Sequence, residues 1–82
     1  MIKENIIWIN DAEVLNDFCL ALTFNDGSKK IFDCKPLINK DSRYRVLQEK
    51  DNFKNFILDG WTITWMGGTI DIAPEYLYQE SI

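Results

Sequence analysis

The sequence predicts an α+β fold: a small antiparallel sheet of about five strands built from hairpins, with short helical segments and a C-terminal helix. Three observations predict it. Phe18, Leu20, Leu22 and Phe24 alternate with Cys19, Ala21 and Thr23, the period of a strand with one apolar face. Asn25-Asp26-Gly27, Asp59-Gly60 and Gly67-Gly68 punctuate the apolar runs as tight turns. Pro74 stands ahead of Glu75, Tyr76, Leu77 and Tyr78, at the first position of a helix, where a missing N–H costs nothing.

Taken in order, Ile7 to Leu15 reads as a first strand, with Asn10-Asp11 marking a bend or bulge. The alternating run to Phe24 is the second strand, and Lys29 to Cys34 is the return strand. The turn between them has two registers. If Asp26-Gly27 is a two-residue turn, Leu22 lies beside Ile31 and Cys19 faces Cys34, a geometry that permits a disulfide in an oxidising setting. If Asn25-Asp26-Gly27 is a three-residue turn with a bulge at Gly27, Leu20 pairs with Phe32 and the cysteines part onto opposite faces. The second register is favoured, because Asn and Asp suit type I turn positions ahead of a left-handed glycine.

Pro36 cannot donate to a ladder and ends the third strand. Ser42 is placed to cap a short helix from about Arg43 to Gln48, with Tyr44 and Leu47 on its inner face. Asp51 is placed to cap a second helical turn holding Phe53, Phe56 and Ile57 on one side. Neither piece is long enough to stand alone, so both are expected to dock on the sheet. Trp61, Ile63 and Trp65 alternate with Thr62, Thr64 and Met66 as a fourth strand. Thr69 to Ile72 follows as the fifth, with Ile70 and Ile72 inward.

Eighty-two residues with 46% apolar content fit one domain, 1–82. Such a chain buries roughly 64% of its unfolded surface, enough for a core without covalent staples. The chain has no histidine, which excludes Ser-His-Asp and Cys-His catalysis and every metal site that needs an imidazole. Only four apolar residues, Ile6 to Ile9, follow the N-terminal Met1-Ile2-Lys3-Glu4-Asn5, too few for a signal peptide, and no run approaches a membrane span. A cytoplasmic protein is therefore expected, with Cys19 and Cys34 reduced, buried and inert.

The net charge of −4 hides a segregation. Residues 29–54 hold eight of the nine bases against four acids, whereas 55–82 hold four acids and no base. Lys40, Arg43, Arg45, Lys50 and Lys54 are accordingly candidates for contact with phosphate or an acidic partner, Tyr44 adding a ring for stacking. An ordinary solvated surface with internal ion pairs would look the same in sequence. The carboxylates worth inspecting for acid–base chemistry are Asp33, Asp71 and Glu75, and a paired cleft would be required. Asp71 and Glu75 have a simpler use at the N-terminus of the last helix, where Ala73 cannot cap. Trp8, Trp61 and Trp65 are the candidate protein-interaction residues. Trp61 and Trp65, four apart on one strand, are expected to share a face, and Trp8 to pack with them, either in the core or against a partner or second copy.

The run Leu22-Thr23-Phe24-Asn25-Asp26-Gly27, with Phe32-Asp33 and Pro36-Leu37, resembles the first half of a bacterial family called domain of unknown function 2442. Phe53, Thr62-Ile63-Thr64-Trp65 and Gly68-Thr69-Ile70-Asp71-Ile72-Ala73-Pro74-Glu75-Tyr76-Leu77-Tyr78 resemble its second half. The resemblance spans about residues 7 to 78. It implies a small α+β domain in a bacterial cytoplasm and supplies no mechanism. Some similar proteins carry a helix-turn-helix segment after this domain; the present sequence ends at Ile82, and direct operator binding is not expected. Genes of this type often sit beside another small gene in a pattern like toxin–antitoxin pairs, which implies a protein partner.

These readings converge on a non-enzymatic protein-interaction domain without a cofactor, the regulatory or antitoxin-like member of a two-gene module, with a homodimer as one form. The alternative is a nucleic-acid-associated accessory domain using the basic segment 29–54.

Overall fold

The computed structural model describes residues 6–82. Met1–Asn5, which carry Lys3 and Glu4 and part of the argument against a signal peptide, lie outside the described residues. Strand β1 (Ile9–Val14) pairs antiparallel with β2 (Cys19–Phe24), which pairs antiparallel with β3 (Lys29–Asp33). Helix α1 (Lys35–Lys40), a 3-10 helix over Ser42–Gln48 and helix α2 (Lys50–Lys54) follow. The chain then forms β4 (Ile57–Leu58), β5 (Ile63–Trp65) and β6 (Ile70–Asp71), and ends in α3 (Pro74–Glu80).

The α+β class and the C-terminal helix are as expected, but the described strands number six and lie in two three-stranded antiparallel sheets, β1-β2-β3 and β4-β5-β6. The extra strand is β4. Phe56 and Ile57 were expected on a helical face with Phe53; instead α2 stops at Lys54, and Ile57 pairs with Thr64 across the Asp59-Gly60 turn. The sheets adjoin where the Ile9 N–H donates to the Trp61 carbonyl at 3.0 Å.

The first hairpin takes the bulged register. Leu20 pairs with Phe32 and Cys19 with Asp33, Phe24 and Ser28 close a three-residue turn, and Gly27 sits at φ 89°. Cys19 therefore does not face Cys34, and both thiols are free. Cys34 is buried, which pushes its thiol up to about 12, with Asp33 and Cys19 adding in the same direction. Cys19 is half-buried rather than fully so. The irregularity expected near Asn10-Asp11 is present as a shift of register between Ile9 and Asp11.

Strand β2 turns Leu20, Leu22 and Phe24 into the core on every second position. Strand β5 is different: Ile63, Thr64 and Trp65 are all buried, because it lies between β4 and β6 and is covered on both faces. Thr64 in this strand and Thr62 just before it are tolerated in the interior because each hydroxyl donates to a backbone carbonyl, Thr62 to Ile72 and Thr64 to Ile57. Trp65 stacks on Phe53 with ring centroids 6.0 Å apart, and its indole N–H donates to the Phe53 carbonyl at 2.9 Å.

The caps differ from expectation. Asp41, not Ser42, caps the 3-10 helix by accepting from the Arg43 N–H, since an aspartate one residue earlier reaches the same free donor. Tyr44 and Leu47 are buried on its inner face, as their spacing predicts. Among the described residues no side chain caps the N-terminus of α2 or α3, so Asp51, Asp71 and Glu75 do not cap. Asp51 and Glu75 do lie in the first turns, where a carboxylate suits the helix dipole. Helix α1 has no counterpart in the sequence reading, where Pro36 marked only the end of a strand; Pro36 occupies its first turn, where proline is tolerated.

Candidate functional site

The three tryptophans do not form one cluster. Trp65 is a core residue at 1% exposure, whereas Trp8 and Trp61 are 36% and 42% exposed. The spacing of Trp61 and Trp65 implied one face only if a single strand held both. The Asp59-Gly60 turn, with Gly60 at φ 90°, carries the chain through Trp61, and the strand begins at Ile63. Released from the strand, Trp61 meets Trp8 instead. Their ring centroids are 6.2 Å apart with planes 24° from parallel.

Both backbones beneath this pair are fixed. The Asp59 carboxylate accepts from the N–H groups of Trp61 and Thr62, each at 2.9 Å. Those two donors hold the Asp59 carboxyl below its ordinary value, Thr62 contributing most. Asn25 does the corresponding work for Trp8. Its side-chain oxygen accepts from the Trp8 N–H at 2.8 Å, its own N–H donates to the Trp8 carbonyl at 3.0 Å, and its amide group donates to Ile6. The Trp8 indole N–H donates to the Asn10 side chain at 3.0 Å. Two half-exposed aromatic rings thus stand on pinned backbone, a form in which contact area costs little conformational entropy on binding. Neither Asn25 nor Asp59 was a sequence candidate. Each announced itself only as a turn residue, and the signal for more was an Asx residue ahead of glycine in a chain rich in tryptophan.

The basic candidates are all exposed. Lys40 ends α1, Arg43 and Arg45 lie on the 3-10 helix, and Lys50 and Lys54 sit one turn apart on α2. Arg43 is committed internally: its guanidinium holds Asp41 with contacts of 2.7 to 3.2 Å and lies 5.3 Å from the Tyr44 ring centroid. This pairing keeps the Asp41 carboxyl low and raises the arginine. Among the described residues the other four cations make no ion pair.

The three carboxylates are not brought into a shared cleft. Asp33 is on β3, where it accepts from the Lys35 N–H and pairs with the Lys35 ammonium at 3.1 Å, interactions that lower its pKa. Glu75 borders an open groove of about 830 Å³ beside Lys30 and Tyr78. Asp71 borders a separate depression of about 200 Å³ next to Arg43 and Tyr44, and its backbone carbonyl accepts from the Tyr44 hydroxyl. Among the described residues no three His, Cys, Asp or Glu side chains gather as metal ligands. No described helix is long and apolar enough to cross a membrane.

The model of the family described as "Protein of unknown function (DUF2442)" matches residues 9–82. No curated protein and no solved structure matches the chain.

Proposed function

Since the chain belongs to the DUF2442 family, a family described without an activity, we propose from its surface that it is a non-enzymatic protein-interaction domain that docks through Trp8 and Trp61. The carrying observation is the stacked pair itself. An 82-residue chain with three tryptophans buries one and holds two outside, Trp61 just after the Asp59-Gly60 turn and Trp8 in the lead-in to β1 held by Asn25. Large aromatic side chains that are rigid and exposed are the residues that dominate binding energy at protein interfaces. The lack of histidine and the separation of Asp33, Asp71 and Glu75 support binding over catalysis. The resemblance-based expectation of a two-gene module makes the adjacent gene product the first partner to try, in the cytoplasm, with the acidic chain acting as the regulatory or antitoxin-like member.

The test is co-expression with that product followed by size-exclusion chromatography, with light scattering on the chain alone to score a homodimer. One shared peak that splits on Trp61→Ala is the expected result. Two independent peaks at micromolar concentration, with the chain monomeric by itself, overturn the reading.

A second reading keeps the exposed Lys40, Arg45, Lys50 and Lys54 as contacts for a nucleic acid. It is favoured only by their lack of carboxylate partners among the described residues. Binding of this kind weakens steeply with salt and drops on Arg45→Ala. No retardation of DNA or RNA at low salt ends it.

A further inference from the structure

A second concave surface, away from the tryptophan pair, lies between the tip of the β1–β2 hairpin and α2. It has a volume of about 310 Å³, at the small end of the range of ligand pockets. Val14 and Leu15 at the end of β1, Phe18 at the hairpin tip and Phe53 of α2 supply its apolar wall, and Lys50 and Lys54 supply its edge.

The wall is preorganised. Asp17 and Phe18 both hold left-handed backbone, at φ 58° and 60°, a conformation that an aromatic residue adopts only under constraint. The constraint is visible on both sides. The Phe18 ring meets Phe53 edge-on, with centroids 5.2 Å apart, and the Lys35 ammonium donates to the Asp17 carbonyl at 2.9 Å. Phe53 is in turn locked by its stack on Trp65.

The edge is electrically unbalanced. Lys35 is paired with Asp33 and Arg43 with Asp41, but among the described residues Lys50 and Lys54 pair with no carboxylate. They lie four residues apart on α2 and so share one side of it. Among the described residues Asp17 is the sole acid on the rim, against these two cations.

We propose that this pocket binds a small carboxylic acid with an apolar body, the body resting on Leu15 and Phe18, which the buried Phe53 backs from beneath, and the carboxylate received between Lys50 and Lys54. Apolar surface alone would accept many shapes. The two ammonium groups select an anion, and their spacing at one end of the pocket selects an acid whose charge is terminal. The proposal stands independently of the Trp8–Trp61 reading, because the two surfaces share no residue.

The test is an amide-resolved NMR titration of the full chain at low salt with 3-phenylpropionate, against the uncharged 3-phenylpropionamide. Saturable shifts confined to residues 14–18 and 50–54 are expected for the acid, with the amide at least about tenfold weaker, as loss of a charge-assisted contact implies. A Lys50→Gln, Lys54→Gln double variant should bind the acid about tenfold more weakly and leave the amide unchanged; its own spectrum reports that it is folded. Raising the salt on the wild-type chain should weaken the acid selectively. No saturable shift, equal binding of acid and amide, or acid binding indifferent to both the double variant and salt overturns the proposal.

Discussion

Trp8 and Trp61 stack with an offset on the outside of the molecule, ring centroids 6.2 Å apart and planes 24° from parallel, and the backbone N–H of the residue after Trp8 donates to the Trp61 carbonyl. A stacked aromatic pair contributes about 0.5–1.5 kcal/mol beyond the area it buries. Trp61→Ala should therefore cost this pair term plus the area its half-exposed ring buries, less than the loss on truncating a fully buried tryptophan, by urea denaturation. Binding to a partner should fall much further, because hot-spot truncations cost about 2 kcal/mol or more. A variant that loses folding and binding in equal measure would assign Trp61 to the core after all.

Trp65 should behave in the opposite way. It is buried, stacked on Phe53 and hydrogen-bonded through its indole to the Phe53 carbonyl. Trp65→Ala is expected to cost about 3–5 kcal/mol, a large part of the stability of a domain this small. In the wild-type chain, iodide should quench the fluorescence of Trp8 and Trp61 and leave that of Trp65. Single-tryptophan variants read by emission wavelength check the assignment.

Acid should loosen the turns. Asp26, Asp33, Asp41 and Asp59 all have folded-state pKa values below the ordinary 3.8, through hydrogen bonds received at turns and caps. Below 3.8 the unfolded chain therefore binds more protons than the folded one. The stabilisation these groups give is complete above that value and is lost as pH falls through the lower folded-state values. Tm is expected to be flat from pH 7 to about 5 and to drop below about 4. Asp59→Ala should lower Tm at pH 7 and make the acid limb shallower, as read by circular dichroism.

The thiols should separate by reactivity. Cys34 is buried, with its thiol pushed up to about 12, whereas Cys19 is half-buried. A disulfide-exchange reagent at pH 8 is expected to modify Cys19 in the native chain, with Cys34 following only as fast as the chain opens. Mass spectrometry of peptides taken over time distinguishes the two sites. In denaturant both should react at once.

Met66 holds φ 55° at the turn leading to Gly67-Gly68, and its side chain is 47% exposed. Left-handed backbone penalises any residue with a Cβ, and little apolar burial is lost here on truncation. Met66→Gly should therefore stabilise the fold by about 0.5–1 kcal/mol. A rise in the urea midpoint with an unchanged slope checks this.

The parts of this fold that sequence conveys are those governed by neighbours along the chain. The bulged turn at Gly27 follows from the preference of Asn25 and Asp26 for type I positions, and with it the pairing of Leu20 with Phe32. The proline start of α3 is equally local. What escapes is decided by distant contacts. Ile57 leaves the helical face of Phe53 because Thr64 offers it a strand partner, and a two-residue strand has no period of its own to detect. The division into two sheets depends on where Ile9 meets Trp61, and nothing near either residue encodes the other. Trp61 departs from the face of Trp65 because the period of two holds only within Ile63–Trp65, and the chain from Gly60 to Thr62 is a bend.

At the other margin of the first sheet, Ile31 of β3 and Ile82 exchange two backbone hydrogen bonds, at 2.8 and 3.0 Å. An outermost strand offers its open row of amides and carbonyls to any extended chain that arrives, another copy included. Here residue 82, following directly on α3 and Ser81, occupies the middle of that row and acts as a stopper. Removing Ile82 alone, with its exposed side chain, would keep the buried Ser81 hydroxyl on the Leu77 carbonyl and unblock the row. The same edge of a second copy would then pair with β3 and close a two-fold dimer, since the outer margin of β1 is already engaged by the Ile9–Trp61 contact.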